Sequence, residues 1–305
     1  MKLQIIKNRK YYYFVSGALF LVAVLSLIAW GLKPGLDFTG GSLLELSFSG
    51  SRPQVDEMQS ALAPLGLGDV IVQPANDKDI ILKFKTVSEE EHQKVLAAIS
   101  GKFSSDGNAV SENRFDSIGP VIGRELLNKS WAMMLIAMLA IIAYIGFAFR
   151  KVSKPLASWK YGVSAVIALA HDLVIVTGLF AILGHFRGVE VDSLFITALL
   201  TVMGFSVHDT IVVFDRTREN LSKFYSGKFD EVVNDSVNQT LVRSINTSLT
   251  VLLVLLALFV LGGDTTKNFT LALLFGIFIG TYSSIFVASP IIVDWNNWDH
   301  KLKKK

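Results

Sequence analysis

Six stretches of this chain, roughly residues 11–31, 131–149, 161–184, 193–214, 247–262 and 269–293, are long and apolar enough to cross a bilayer. A hydrocarbon core takes about 20 residues of α-helix, and a helix satisfies all of its own backbone polar groups in lipid. The reading is an α-helical polytopic membrane protein with six transmembrane helices. A mean hydropathy of +0.47, with 51% hydrophobic and 18% charged residues, excludes an ordinary soluble protein of this length. The spans enclose one long polar insert. The domains are therefore 1–31 (N-terminus and first helix), 32–130 (an α+β domain between helices 1 and 2), 131–294 (helices 2–6) and 295–305 (a basic tail).

Loop charges orient the bundle, because Lys and Arg near span ends stay on the cytoplasmic side. Lys2, Lys7, Arg9 and Lys10 precede the first span; Arg150, Lys151, Lys154 and Lys160 lie between the second and third. Arg216, Arg218, Lys223, Lys228 and Arg243 lie between the fourth and fifth, and Lys301, Lys303, Lys304 and Lys305 follow the sixth, whereas the opposite short loops carry only Arg187 and Lys267. Both termini are expected in the cytoplasm and the insert outside. Cytoplasmic basic loops facing anionic lipid account for the formal charge of +3, so no nucleic-acid partner is implied. The first span is too long for a usual signal-peptide core and no A-x-A-like site follows it, so it reads as an uncleaved anchor. The absence of cysteine excludes disulfides and thiolate chemistry.

Within the insert, SLLELSFSG (42–50) alternates as a strand, VDEMQSALAPLG (55–66) has helical spacing, and DVIVQP (69–74) and DIILKFKT (79–86) are strands separated by Asn76 and Asp77. Ser88 with Glu91 forms a capping box opening a helix over 88–100, and a last strand falls near 108–119. The order β-α-β-β-α-β predicts a ferredoxin-like domain. His92 sits on a Glu-rich helix and is expected at the wet surface. No catalytic constellation occurs in the insert.

Ionisable groups at bilayer depth cost roughly 2.5–3.5 kcal/mol even on a lenient scale and mark functional sites. Three places qualify: His171 with Asp172 in the third span, His208 with Asp209 in the fourth, and Arg243 at the start of the fifth. Asp235, Gln239, Arg243, Asn246 and Thr250 recur at three- and four-residue spacing as one polar stripe, and Ser206, Asp209 and Thr210 share a face. An Asp209–Arg243 pair that parts on protonation is the physical form of a proton-coupled switch, and a static bridge is the plainer alternative. His171–Asp172 reads equally as a structural pair or a relay, and His208 as an orienting residue. Asp215, Arg216, Arg218 and Glu219 read as a solvated helix end. A metal site is not expected, since each His-Asp dipeptide offers about one ligand. Asp172 and Asp209 are the one pair that an intramembrane aspartic protease could use, with nothing else supporting it. In the sixth span Gly276, Gly280, Ser284 and Ala288 form a ridge of small residues at four-residue spacing that predicts close helix packing.

GLDFTGG (35–41), IGPVIGRELL (118–127), GFSVHDTIVVFDRTREN (204–220), NQTLVRSINTSLT (238–250) and YSSIFVASPI (282–291) together resemble the SecF family of bacterial protein-export subunits, over nearly the whole chain and in order. The resemblance implies membership of the resistance-nodulation-division superfamily, with no enzymatic activity and no cofactor. It also implies location in the bacterial cytoplasmic (inner) membrane and work with a SecD-like sister subunit beside the SecYEG channel. There a proton flux moves the exterior domains to draw secreted polypeptide chains outward after SecA has pushed them. By resemblance, Asp209 matches the family's V-H/N-D-T aspartate and Arg243 its Q-T-L-x-R arginine. One six-span half implies that the other half comes from a partner or a second copy.

In GLDFTGG itself, Gly35, Gly40 and Gly41 suit a tight reversal, Asp37 suits a backbone cap, and the segment reads as a hinge between span and domain. Two rivals use the same residues: a proton-coupled transporter of a small molecule or lipid, needing a midplane pocket, and a scaffold whose membrane charges are static.

Overall fold

The computed structural model describes residues 3–104, 108–150, 156–223 and 228–302. Lys2, Lys151, Lys154, Lys303, Lys304 and Lys305 of the charge pattern lie outside them. The chain divides into two compact units, 1–33 with 132–305, and 34–131.

The smaller unit begins with a single helical turn, α2 (Leu36–Thr39), after the first long helix α1 (Arg9–Ala29). Strands β1 (Gly41–Phe48), β2 (Ile71–Pro74), β3 (Asp79–Phe84) and β4 (Val110–Ile118) form a fully antiparallel sheet in the order β2-β3-β1-β4. Helices α3 (Val55–Leu62) and α4 (Glu89–Phe103) supply the two crossovers. This is the ferredoxin-like arrangement that the element order predicts. Burial alternates along β1 and β3, so Leu44, Leu46, Ile80 and Leu82 point to one side, where Met58 and Leu62 of α3 and Val95 and Ile99 of α4 cover them. Ser88 caps α4 with Glu91 in the expected box, and Gln54 with Glu57 makes a second one on α3.

His92 is not at the surface. It is 3% exposed, shares the inward face of α4 with Val95 and Ile99, and stacks on Phe115 with ring centroids 3.7 Å apart. Its Nδ1 lies 3.2 Å from Glu89 Oε1. Its Nε2 is 3.3 Å from Glu112 Oε2, within ion-pair range but not aligned as a hydrogen bond. The reason is register: positions 92, 95 and 99 follow the 3.6-residue period of the buried stripe, which outweighs the polarity of the flanking glutamates.

The larger unit holds α1, most of α5 (Pro120–Ala148), α6 (Ser158–Arg187), α7 (Ser193–Lys223), α8 (Phe229–Leu261) and α9 (Asp264–Ser283). A π turn (Ser284–Ala288) joins α9 to α10 (Ser289–Leu302). Six spans result, all but the first longer than the apolar stretch predicts. Helix α7 packs most extensively on α9, α1 lies on α6, and α8 covers both α7 and α9. The α1–α6 crossing is backbone-close, because a Cβ added at Gly178 would stand 2.4 Å from Ala23 Cβ. Gly188, at φ 69°, ends α6 with its N–H on the Gly184 carbonyl. Burial is uneven: half of the apolar windows of α6 and α7 is inside the chain, against 11% for α5 and 17% for α8. Those two helices therefore offer most of their surface to lipid or to another chain.

Candidate functional site

The polar centre of the bundle is built where α7 and α9 cross. Gly276 and Gly280 let the backbones approach: an added Cβ would fall 2.2 Å from Val202 Cγ2 at the first and 2.9 Å from Ser206 Cβ at the second. One turn on, the Ser284 hydroxyl donates to the Ser206 carbonyl at 3.0 Å and meets Thr210 Oγ1 at 2.8 Å. Ala288, fully buried, ends the ridge. The small-residue ridge packs inside the chain.

Two carboxyls flank this crossing. Asp172 of α6 is fully buried and accepts three bonds, from Ser206 and Ser283 hydroxyls at 2.7 Å each and from His171 Nδ1 at 3.0 Å. It thereby ties α6 to α7 and α9. His171 is buried too, and its Nε2 has no hydrogen-bond partner among the described residues. Asp209 of α7 is 7% exposed and faces α8 and α9. Ser248 donates to its Oδ2 at 3.4 Å and is itself bonded to Thr281. Thr281 and Ser244 also approach the carboxyl, the Ser244 hydroxyl without hydrogen-bond alignment.

Arg243 does not join this group. Among the described residues no ion pair links it to Asp209, and its side chain is exposed on α8 together with Gln239, Asn246 and Thr250. The predicted polar stripe is real, but it faces out of the chain. The inward face of α8 is the neighbouring row Ser236, Thr240, Ser244 and Ser248, all buried. These hydroxyls occupy little volume, so α8 approaches α7 and α9 where a guanidinium would hold it off. The strict four-residue spacing of this row is present in the sequence, beside the larger polar groups of the neighbouring stripe. His208 is likewise exposed, about 100° around α7 from Asp209. Further along, Asp215 pairs with Arg218 at 2.8 Å and Arg216 with Glu219, all part-exposed. Arg216 and Asn220 reach Gln239, so α7 and α8 stay zipped past the apolar segment.

The GLDFTGG segment lies in the other unit. Gly40 has φ 76° and ψ 164°, a region open essentially to glycine, and an added Cβ would stand 2.7 Å from Pro120 Cα. Gly41, at φ 136°, leaves 2.9 Å to the Phe84 carbonyl, and Gly123 of α5 leaves 2.7 Å to that of Phe38. Gly35 has an ordinary φ of −81°, and its carbonyl accepts from Phe38 and Thr39. Asp37 lies in the first turn of α2. Gly40 thus clamps the start of β1 to the start of α5, while Gly41 brings β1 close to Leu36 and to the end of β3. No group of three metal-ligating side chains occurs among the described residues.

Residues 26–51 match the family described as "SecD/SecF GG Motif", and residues 99–298 match "Protein export membrane protein SecD/SecF, C-terminal". A protein translocase subunit SecF from Thermobaculum terrenum is 44% identical over 97% of this chain and 95% of its own. The chain belongs to the SecF family. SecF-named relatives from Anaerolinea thermophila and Synechocystis are each 40% identical, over 97% and 98% of this chain and 96% of their own. Among solved structures, SecDF from Thermus thermophilus, titled a translocon-associated membrane protein, superposes with a TM-score of 0.81 at 32% identity over 97% of this chain. This SecF-family chain spans 39% of that SecDF chain. A second SecDF structure, in a super-membrane-facing form, gives 0.69 at 32% identity over 100% of this chain and 40% of its own. The fold expected of a SecF-family member is the one observed.

Proposed function

We propose that this SecF-family subunit is a non-enzymatic, cofactor-free part of a protein translocase that uses the proton motive force to promote late stages of export. It works with a SecD-like sister subunit beside the SecYEG channel and SecA, on secreted polypeptide chains, in the bacterial inner membrane with both termini cytoplasmic. Asp209 is the group that takes and releases the proton. One observation carries this: its carboxyl is buried at the junction of three helices among hydroxyls, with no cation paired to it among the described residues.

Hydroxyls donate to a carboxylate and accept from a carboxyl, so the site is satisfiable in both protonation states. A salt bridge would favour one. Each charge moved through 100 mV carries about 2.3 kcal/mol, and Ser248, Thr281 and Ser244 are the contacts that such a change re-orients in α8 and α9. Arg243, on the outward face of α8, is read as meeting an acid of the sister subunit, with His171, Asp172 and His208 orienting the bundle. The GG clamp of Gly40 and Gly41, with Gly35 and Asp37, passes movement to the exterior domain.

The test is pulse-chase export in cells whose only copy is Asp209→Asn, with membrane level and co-purification of the sister subunit verified. Secretion as slow as in a null strain is expected. Normal secretion sinks the proton-carrier role and leaves Asp209 a static helix contact.

A further inference from the structure

Span alternation puts the start of α1, the start of α6 and the end of α10 on one face of the membrane, and there two cavities meet. One, about 570 Å³, is lined by Arg9, Asp294, Asn297, Trp298 and Lys301. The other, about 360 Å³, is lined by Tyr13, Ile167, Ile291 and Trp295 and shares Asp294 and Trp298 with the first. The shared pair makes them a single two-part groove. Its upper part is polar and its lower part apolar, running down among residues of the spans.

The upper part has a defined charge. Arg9 gives its Nε to Asp294 Oδ1 at 2.8 Å and its Nη1 to the Ile6 carbonyl, and its Nη2 keeps no partner among the described residues. Tyr13 bonds the other Asp294 oxygen at 2.9 Å. Asp294 is thus a fixed anchor that presents the guanidinium. Lys301, exposed on the last turn of α10, adds a second cation. Among the lining residues two cations face one carboxylate, leaving one positive charge above an apolar floor; Asp230, which Asn297 contacts at 3.5 Å, is not part of the lining. Trp298, 58% exposed, forms the wall between the two parts, and Ile167, 44% exposed, opens the floor to the bilayer.

We infer that this groove binds one anionic phospholipid, its phosphodiester over Arg9 and Lys301 and an acyl chain along Tyr13, Ile167 and Ile291. A single negative phosphodiester balances the single positive charge, and the change from polar to apolar lining matches an amphiphile seated at the interface with aromatic residues at headgroup depth. A soluble anion would leave the apolar part unfilled, and a zwitterionic lipid would leave the charge unbalanced. Arg9, Asp294 and Tyr13 bridge the first and last spans, so the lipid seals a seam between the two ends of the chain.

The experiment is native mass spectrometry of the full chain released from micelles holding equimolar phosphatidylglycerol and phosphatidylcholine. One net charge near the surface gives about a fivefold preference for phosphatidylglycerol. Lys301→Glu reverses the local charge and takes that preference below one. Lys78→Glu, the same change on the exposed insert, leaves it unchanged. Ile167→Trp, which fills the apolar part, lowers retention of both lipids. Equal retention of the two lipids by the unmodified chain, or equal effects of Lys301→Glu and Lys78→Glu, overturns the proposal. Both charge variants alter exposed side chains, and a thermal melt of each checks that it is folded.

Discussion

Gly276→Ala tests the α7–α9 crossing on which both buried acids depend. The new Cβ would lie 2.2 Å from Val202 Cγ2, 2.9 Å from Cγ1 and 3.1 Å from Cβ. Val202 is fully buried and β-branched, so its rotamer in a helix is nearly fixed and the clash is not relieved by a χ1 turn. Overpacking of this kind costs about 1–3 kcal/mol. Little is recovered by solvation, because the unfolded reference in a bilayer already sits in hydrocarbon and packing is what holds the helices together. Val202→Ala removes the two nearest atoms. In that background the added methyl takes up vacated space, and Gly276→Ala becomes nearly neutral. The double-mutant cycle therefore has a coupling of about 1–3 kcal/mol. The assay is SDS-driven unfolding of the full chain in mixed micelles, read by tryptophan fluorescence. Equal costs of Gly276→Ala with and without Val202→Ala, or a single-mutant cost under about 0.5 kcal/mol, refute the close crossing.

Gly40→Ala combines a glycine-only backbone with a 2.7 Å approach to Pro120 Cα; it should cost about 3 kcal/mol or more, while Gly35→Ala stays within about 1 kcal/mol, as separate melts of the two variants will show. His92→Ala leaves a void against Phe115 and the α4 stripe and should cost about 2–4 kcal/mol, seen as earlier proteolysis of the insert. Asp172→Ala strips the acceptor from Ser206, Ser283 and His171 and should lower stability by about 3 kcal/mol, whereas Asp172→Asn, which keeps an acceptor, should lose less in the same SDS titration. For pH, hydrogen bonds from Ser47 and Asn76 hold the Asp79 carboxyl below its ordinary 3.8, and bonds from Gln93 and His92 lower Glu89 from 4.5. Their contribution is complete above those ordinary values and disappears as pH falls through the lowered ones. The insert should thus lose this contribution as pH falls below 4.5, and Asn76→Ala should flatten that fall in a melt series against pH.

Much of this was legible in the residues. The six spans follow from hydropathy, and the insert's strand order follows from alternating apolar positions such as Leu44, Leu46, Ile80 and Leu82. Asp172 and Asp209 stood out because a carboxylate amid apolar residues has few physical explanations. What could not be read is facing. Arg243 and Ser244 are adjacent on α8, and chemical prominence drew attention to the arginine while steric fit put the serine inside. His92 was judged by its glutamate neighbours instead of by its distance from Val95 and Ile99. Helix ends run past the hydropathy signal because hydropathy registers where lipid is: α5 starts at Pro120 packed against Gly40, and α7 runs to Lys223 with Asn220 bonded to Ser236 and Gln239 of α8. The Gly178–Ala23 contact lies in an apolar run where nothing singles out one glycine.

The π turn at Ser284–Ala288 is, in the language of crystals, a dislocation: one surplus residue in an otherwise regular lattice. The Ser289 hydroxyl marks it by bonding the carbonyl of Ser284, five residues back. Such a defect leaves the helical order on either side intact. At 3.6 residues per turn, one surplus residue rotates the helix beyond it by about 100°. Upstream of the defect the last span is locked to α7 by its glycines, and downstream it holds Asp294 and Trp298 at the opposite end. The surplus residue therefore sets the rotational phase of the two halves separately: the upstream face fits α7, and the downstream face carries Asp294 and Trp298.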